Sequence, residues 1–116
     1  MSIRFGFVLA PLLAASVANA ATSINSARVV DVVPDVDYGV VYVKFDADQA
    51  GSTSCVQDKY KSQYQISNLG TPIGDALLST ALTALAMNNE VRAVGRGVCD
   101  GREGMETLRL ISFQPQ

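Results

Sequence analysis

Two cysteines, four tyrosines and eleven acidic residues are the side chains through which this 116-residue chain could do chemistry, and it has no histidine. Histidine is the usual general base near neutral pH and the commonest metal ligand, so its absence closes the simplest routes to hydrolysis and metal binding. Ser52, Ser54 and Ser112 therefore have no imidazole to activate them. The carboxylates of Asp31, Asp35, Asp37, Asp46 and Asp48 fall at turns and loop edges, where acidic side chains are ordinarily solvated, and no spacing among them forms a catalytic constellation. Asp46 and Asp48 alternate like the first two ligands of a calcium loop, but Gln57 stands where the twelfth-position glutamate belongs. The stretch Gly95-Arg96-Gly97 is too short for a phosphate loop and does not open a helix. A non-enzymatic protein without metal or cofactor is expected.

Cys55 and Cys99 are the only cysteines and lack the Cys-x-x-Cys spacing of a redox pair. An even count in a small exported chain predicts one structural disulfide. Closing a loop of that size corresponds to roughly 4 kcal/mol in the chain-entropy account. Recognition then falls to the aromatic side chains. Tyr38, Tyr42, Tyr60 and Tyr64 are the candidate ligand-binding residues, because each offers an apolar face with a polar tip. The competing reading is that Tyr42 and Tyr64 simply cover the barrel, as aromatics on strands commonly pack.

Export is read from the first twenty residues. Arg4 precedes an apolar run over residues 5–17, and Ala18-Asn19-Ala20 forms a small-residue cleavage site. The run is too short to span a membrane, which takes about 20 apolar residues, and Pro11 interrupts it. Residues 1–20 are thus expected to be a signal peptide, and residues 21–116 a single periplasmic or secreted domain with no stable membrane insertion. Removing Arg4 changes nine basic and eleven acidic residues to eight and eleven, a net charge of −3. With a sequence pI near 4.8, the chain lacks the basic footprint of a nucleic-acid binder.

The elements that must position these residues follow from periodicity. Strands are predicted over residues 27–33, 38–45, 60–67, 90–98 and 106–113 from β-branched or alternating patterns. Residues 72–87 should form a helix, with Thr71 as cap, Pro72 at the first position and Asn88 at the end. Its buried face is predicted to hold Ile73, Leu77, Leu78, Ala81 and Leu85. On strand 60–67, Lys61, Gln63 and Gln65 are predicted to face solvent. The order β-β-β-α-β-β in a mainly β chain with one helix and one disulfide is that of a five-stranded OB-fold barrel, with an α+β sandwich as the alternative. Ala76, Ser79, Thr80, Thr83 and Met87 form a helical row of small side chains, apart from Met87, that suits an oligomer interface or a solvated face.

The helix rich in Ala and Leu from Ile73 to Ala86, the polar break Asn88-Asn89-Glu90 and the following Val91-Arg92-Ala93-Val94 resemble the B subunits of bacterial A-B toxins, in particular the subtilase cytotoxin type, and related small exported bacterial proteins. The resemblance implies an OB-fold, a ring-shaped homo-pentamer with helices facing the pore, glycan binding on the outer rim and a separate catalytic subunit. The expectation is therefore an exported binding domain that recognises a glycan or a protein partner as a toxin B-subunit-like homo-oligomer. The alternative is a monomeric periplasmic structural or inhibitory protein acting through an exposed loop, either 46–58 or 100–104.

Overall fold

The computed structural model describes residues 20–115; the expected signal peptide lies outside them up to residue 19. The described residues form strands β1 (Ser23–Ala27), β2 (Val29–Asp35), β3 (Val40–Phe45) and β4 (Gln63–Ile66), helix α1 (Pro72–Met87), and strands β5 (Val91–Gly95) and β6 (Leu108–Phe113). Among the described residues, the mainly β composition, the one α-helix and its position after the third predicted strand agree with the sequence reading. The predicted first strand is longer than expected and is divided at Arg28. Before that point β1 pairs with β5 and after it β2 pairs with β3, both antiparallel, and each pairing has a register shift on the Arg28 side.

This division produces two three-stranded antiparallel sheets, β1-β5-β6 and β2-β3-β4, and not one continuous closed barrel. Asp46 holds the crossing: its Oδ1 accepts from Arg28 N at 2.8 Å, and its own N–H donates to Arg28 O at 3.1 Å. On the far side a single parallel bridge, Gln65 to Thr107, links the two sheets. The β2–β3 hairpin turns through residues 36–39. Asp35 O accepts from Gly39 N at 2.9 Å and its Oδ1 from Asp37 N at 3.0 Å; Gly39 takes the left-handed φ of 66° that the turn needs.

Inner faces of both sheets and of α1 meet in the main core, where Val43, Tyr64, Ile66, Val91 and Ala93 are fully buried. Helix α1 begins and ends where predicted. Thr71 Oγ1 accepts from Gly74 N at 3.1 Å, and Asn88 closes the other end with φ 54° and an N–H bond to Ala84 O at 2.9 Å. Its buried face differs from the prediction: Gly74, Leu77, Ala81 and Ala84 are inside, Leu78 is half-buried, and Ile73 is 61% exposed with Leu85 also at the surface. Close approach accounts for the Gly74 end of this face: a Cβ there would lie 2.0 Å from Asn68 O, and beyond it Ala81 and Ala84 share the interior with Leu77 alone among the larger side chains.

Strand β4 also departs from the half-buried pattern. Tyr60 belongs to a short 3-10 turn, Asp58–Tyr60, and not to the strand. Tyr64 and Gln65 point to opposite faces as strand neighbours must, yet both are fully buried. Gln65 was expected in solvent; the loop over residues 100–105 covers that face instead. A second small cluster of Val40, Tyr42 and Met105 forms there.

Candidate binding surface

The hairpin turn, the 3-10 turn and the 100–105 loop converge at one end of the β2-β3-β4 sheet. Arg102 is at their centre. Its Cζ lies 5.0 Å from the Tyr38 ring centroid and 5.2 Å from those of Tyr42 and Tyr60. Each contact is within cation–π range, typically about 0.5–1 kcal/mol at exposed sites. Nη1 of Arg102 donates to Tyr42 Oη at 2.6 Å and lies 3.6 Å from Asp35 Oδ2, while Tyr42 Oη donates to the same Asp35 oxygen.

These contacts bias the protonation states in one direction each. The hydrogen bond from Tyr42, aided by the Asp37 amide and the Arg102 charge, holds the Asp35 carboxyl below its ordinary range. Burial, and then the bond to Asp35, pushes the Tyr42 phenol up. The bond to Tyr42 leads the causes that raise the Arg102 guanidinium, which stays charged. The guanidinium thus faces three rings and one carboxylate.

Covalent and polar ties hold the loop that carries Arg102. Gln65 Nε2 donates to Arg102 O at 2.9 Å and to Met105 O at 2.6 Å, and its Oε1 accepts from Arg102 N at 2.7 Å. Gly101, at φ 119°, permits this approach, since a Cβ there would sit 2.6 Å from Gln65 Oε1. The predicted disulfide is formed between Cys55 and Cys99. It joins the segment leading to Tyr60 with the segment leading to Arg102. Gln57 N donates to Gly104 O at 2.9 Å and closes the same gap.

Outside this cluster is a shallow depression of ≈ 230 Å³ lined by Tyr38, Gln57, Lys59, Tyr60, Arg102 and Glu103. Tyr38 is 51% exposed, Tyr60 is half-buried, and Tyr42 is buried beneath. The structure therefore brings together three of the four candidate tyrosines, two at the surface and one as support. Tyr64 is elsewhere: it lies in the main core edge-on to Phe45 at 5.9 Å, with its hydroxyl 2.8 Å from Thr22 Oγ1. Asp35, Gln65 and Arg102 were not singled out by sequence reasoning as site residues. The glycines flanking Arg102 were the available signal, since Gly101-Arg102-Glu103-Gly104 presents one cation on a tightly turned loop.

The helical row stays on the outer side of α1. Ala76, Ser79, Thr83 and Met87 are exposed and Thr80 is half-buried. The Thr80 and Thr83 hydroxyls donate to the carbonyls of Ala76 and Ser79 at 2.9 and 2.8 Å, so they are engaged within the helix. Ile73, Ala76 and Thr80 border a groove of ≈ 320 Å³ against Arg109, Leu110 and Ile111 of β6. Among the described residues no group of three or more His, Cys, Asp or Glu side chains could hold a metal ion, and no helix is long and apolar enough to cross a membrane. Comparison with family models, curated proteins and solved structures gave no match.

Proposed function

We propose that this protein is an exported, non-enzymatic binding domain that recognises a glycan through Tyr38 and Tyr60 on either side of Arg102. The observation that carries this reading is the convergence of two accessible tyrosines and polar Gln57, Lys59 and Glu103 on one depression. A sugar ring has apolar C–H faces and a polar rim, which aromatic planes bordered by hydrogen-bonding groups complement. The strand order supports an OB-type barrel as the scaffold: a divided first strand shared by both sheets, with β4 and β6 approaching in parallel on the other side. Such scaffolds place oligosaccharide ligands on their outer face and adjoining loops. The B-subunit-like homo-pentamer belongs to the same proposal, with the outer row of α1 as its interface.

Glycan-array binding of the wild type, Tyr38→Ala and Tyr60→Ala tests the site. The wild type is expected to bind a restricted set of glycans, and each variant to lose at least tenfold in affinity at a temperature where it is fully folded, its melting temperature falling by only the few degrees that one lost ring contact with Arg102 implies. Unchanged binding in both variants, or no bound glycan, would refute the assignment. Solution mass tests the assembly, and a monomer at micromolar concentration would remove the pentamer. Val36 favours a second reading. It is 92% exposed at the hairpin tip beside Tyr38, an apolar anchor suited to a protein partner, and Val36→Asp would abolish capture of such a partner while leaving glycan binding intact.

A further inference from the structure

Glu106 is fully buried, and three uncharged donors satisfy its carboxylate. Oε2 accepts from Thr22 N at 3.2 Å and Gly97 N at 2.9 Å, and Oε1 accepts from Thr22 Oγ1 at 2.5 Å. Gly95 is the space that admits it, because a Cβ there would lie 1.9 Å from Oε2. Among the described residues no lysine or arginine comes within ion-pairing distance. A buried charge is costly unless an opposite charge accompanies it. Thr22 is sealed against the carboxylate by backbone and side chain together, and its carbonyl accepts from Gly95 N at 2.9 Å. Ala20 and Ala21, just before it, are exposed.

We propose that cleavage of the Ala20–Ala21 peptide bond creates the counter-charge for Glu106, the α-ammonium of Ala21. Hydrolysis adds one water across the bond, leaving a carboxylate on Ala20 and an ammonium on Ala21. The nitrogen is one residue before Thr22 N, about 3.6 Å at most along an extended residue, so it lies within about 7 Å of Oε2 given the 3.2 Å Thr22 bond. Thr53 supplies a second acceptor. Its buried hydroxyl now donates to Ala20 O, and removal of Ala20 leaves that oxygen beside the new amine. Other titratable groups around this end are Tyr64, reached through Thr22, the exposed Arg96 beside Gly97, and Asp58 and Lys61 along the neighbouring depression. Lys61 is itself met by Asp48 at 3.7 Å and Asp58 at 3.5 Å.

The test begins with intact mass of the exported product of the full 116-residue chain, for which a start at Ala21 is expected and any other start overturns the proposal. The α-amine is then titrated by pH-dependent acylation. Its pKa should be raised by about one unit above the ordinary range of roughly 7.7–8.0, a tenfold shift, and an ordinary value overturns the proposal. Nα-acetylation should lower the melting temperature by about 5 °C, within the range expected for a small domain, and should have no such effect in Glu106→Gln. An equal effect in both proteins overturns the proposal. Should Glu106→Gln fail to fold, the amine titration in the wild type decides.

Discussion

Replacing Gln65 with leucine removes three hydrogen bonds and almost no volume. The Arg102 N–H, the Arg102 C=O and the Met105 C=O lose their partner, at 2.7, 2.9 and 2.6 Å respectively. An unsatisfied buried polar group costs about 1–3 kcal/mol. Arg102 is only part-buried, so water can reach two of the three groups and the lower end of that range applies to them. A total of at least about 3 kcal/mol follows, against a whole-domain stability of about 5–15 kcal/mol. For a chain of this size that corresponds to a fall in melting temperature of roughly 12–24 °C. The assay is thermal unfolding by circular dichroism on oxidised protein, with Gln63→Leu as the control. Gln63 is half-buried on the same strand, and its substitution should change stability by no more than about 0.5 kcal/mol. Glycan affinity should fall in Gln65→Leu even at temperatures where it is folded, because the loop presenting Arg102 loses its anchor. A Gln65→Leu protein that melts within about 2 °C of the wild type would refute the premise that this amide holds the loop.

Three further outcomes follow from the same contacts. Asp35 has a carboxyl pKa below the ordinary 3.8, so the unfolded chain binds its proton first on acidification; the stability from this group is complete above that value and is lost as pH falls through the folded pKa. Acid unfolding of Asp35→Asn should therefore show a shallower dependence on pH in that window, measured by urea titration at successive pH values. The Tyr64 phenol, pushed up to about 12 by burial, stays neutral in the fold while unfolded tyrosine ionises near pH 10; stability should drop between pH 10 and 12, and the late-titrating absorbance at about 295 nm, to which the raised Tyr42 phenol also contributes, should lose one phenol's worth in Tyr64→Phe. Reduction of Cys55–Cys99, or its replacement by two serines, should cost on the order of 4 kcal/mol in denaturant unfolding and loosen the Tyr60 and Arg102 loops together.

Local rules carried much of the fold. Thr71, Pro72 and Asn88 delimit α1 because each satisfies or ends a turn of helix by its own chemistry, with no distant partner needed. The disulfide was equally legible, since two cysteines allow one pairing. Failures arose wherever a distant segment covers a residue. Gln65 sits on the polar side of an alternating strand, and nothing within that strand announces the loop, some 37 positions later, whose backbone it binds. Gly95 could be read as a bend, but its role as a socket for Glu106 depends on an 11-residue separation and on a carboxylate that pattern assigns to a strand start. Arg102 shows the same limit from the opposite direction. An arginine in a glycine-rich loop reads as a solvated charge, yet rings from a hairpin and a 3-10 turn surround it. Periodicity reports which face an element turns inward; it does not report which loop will cover the other face. The candidate surface was therefore partly visible through its tyrosines, while the residues that orient it, Asp35, Gln65 and Arg102, required the tertiary contacts. A site whose exposed rings depend on a buried amide and a shared charge should respond to substitutions beneath the surface as strongly as to those on it.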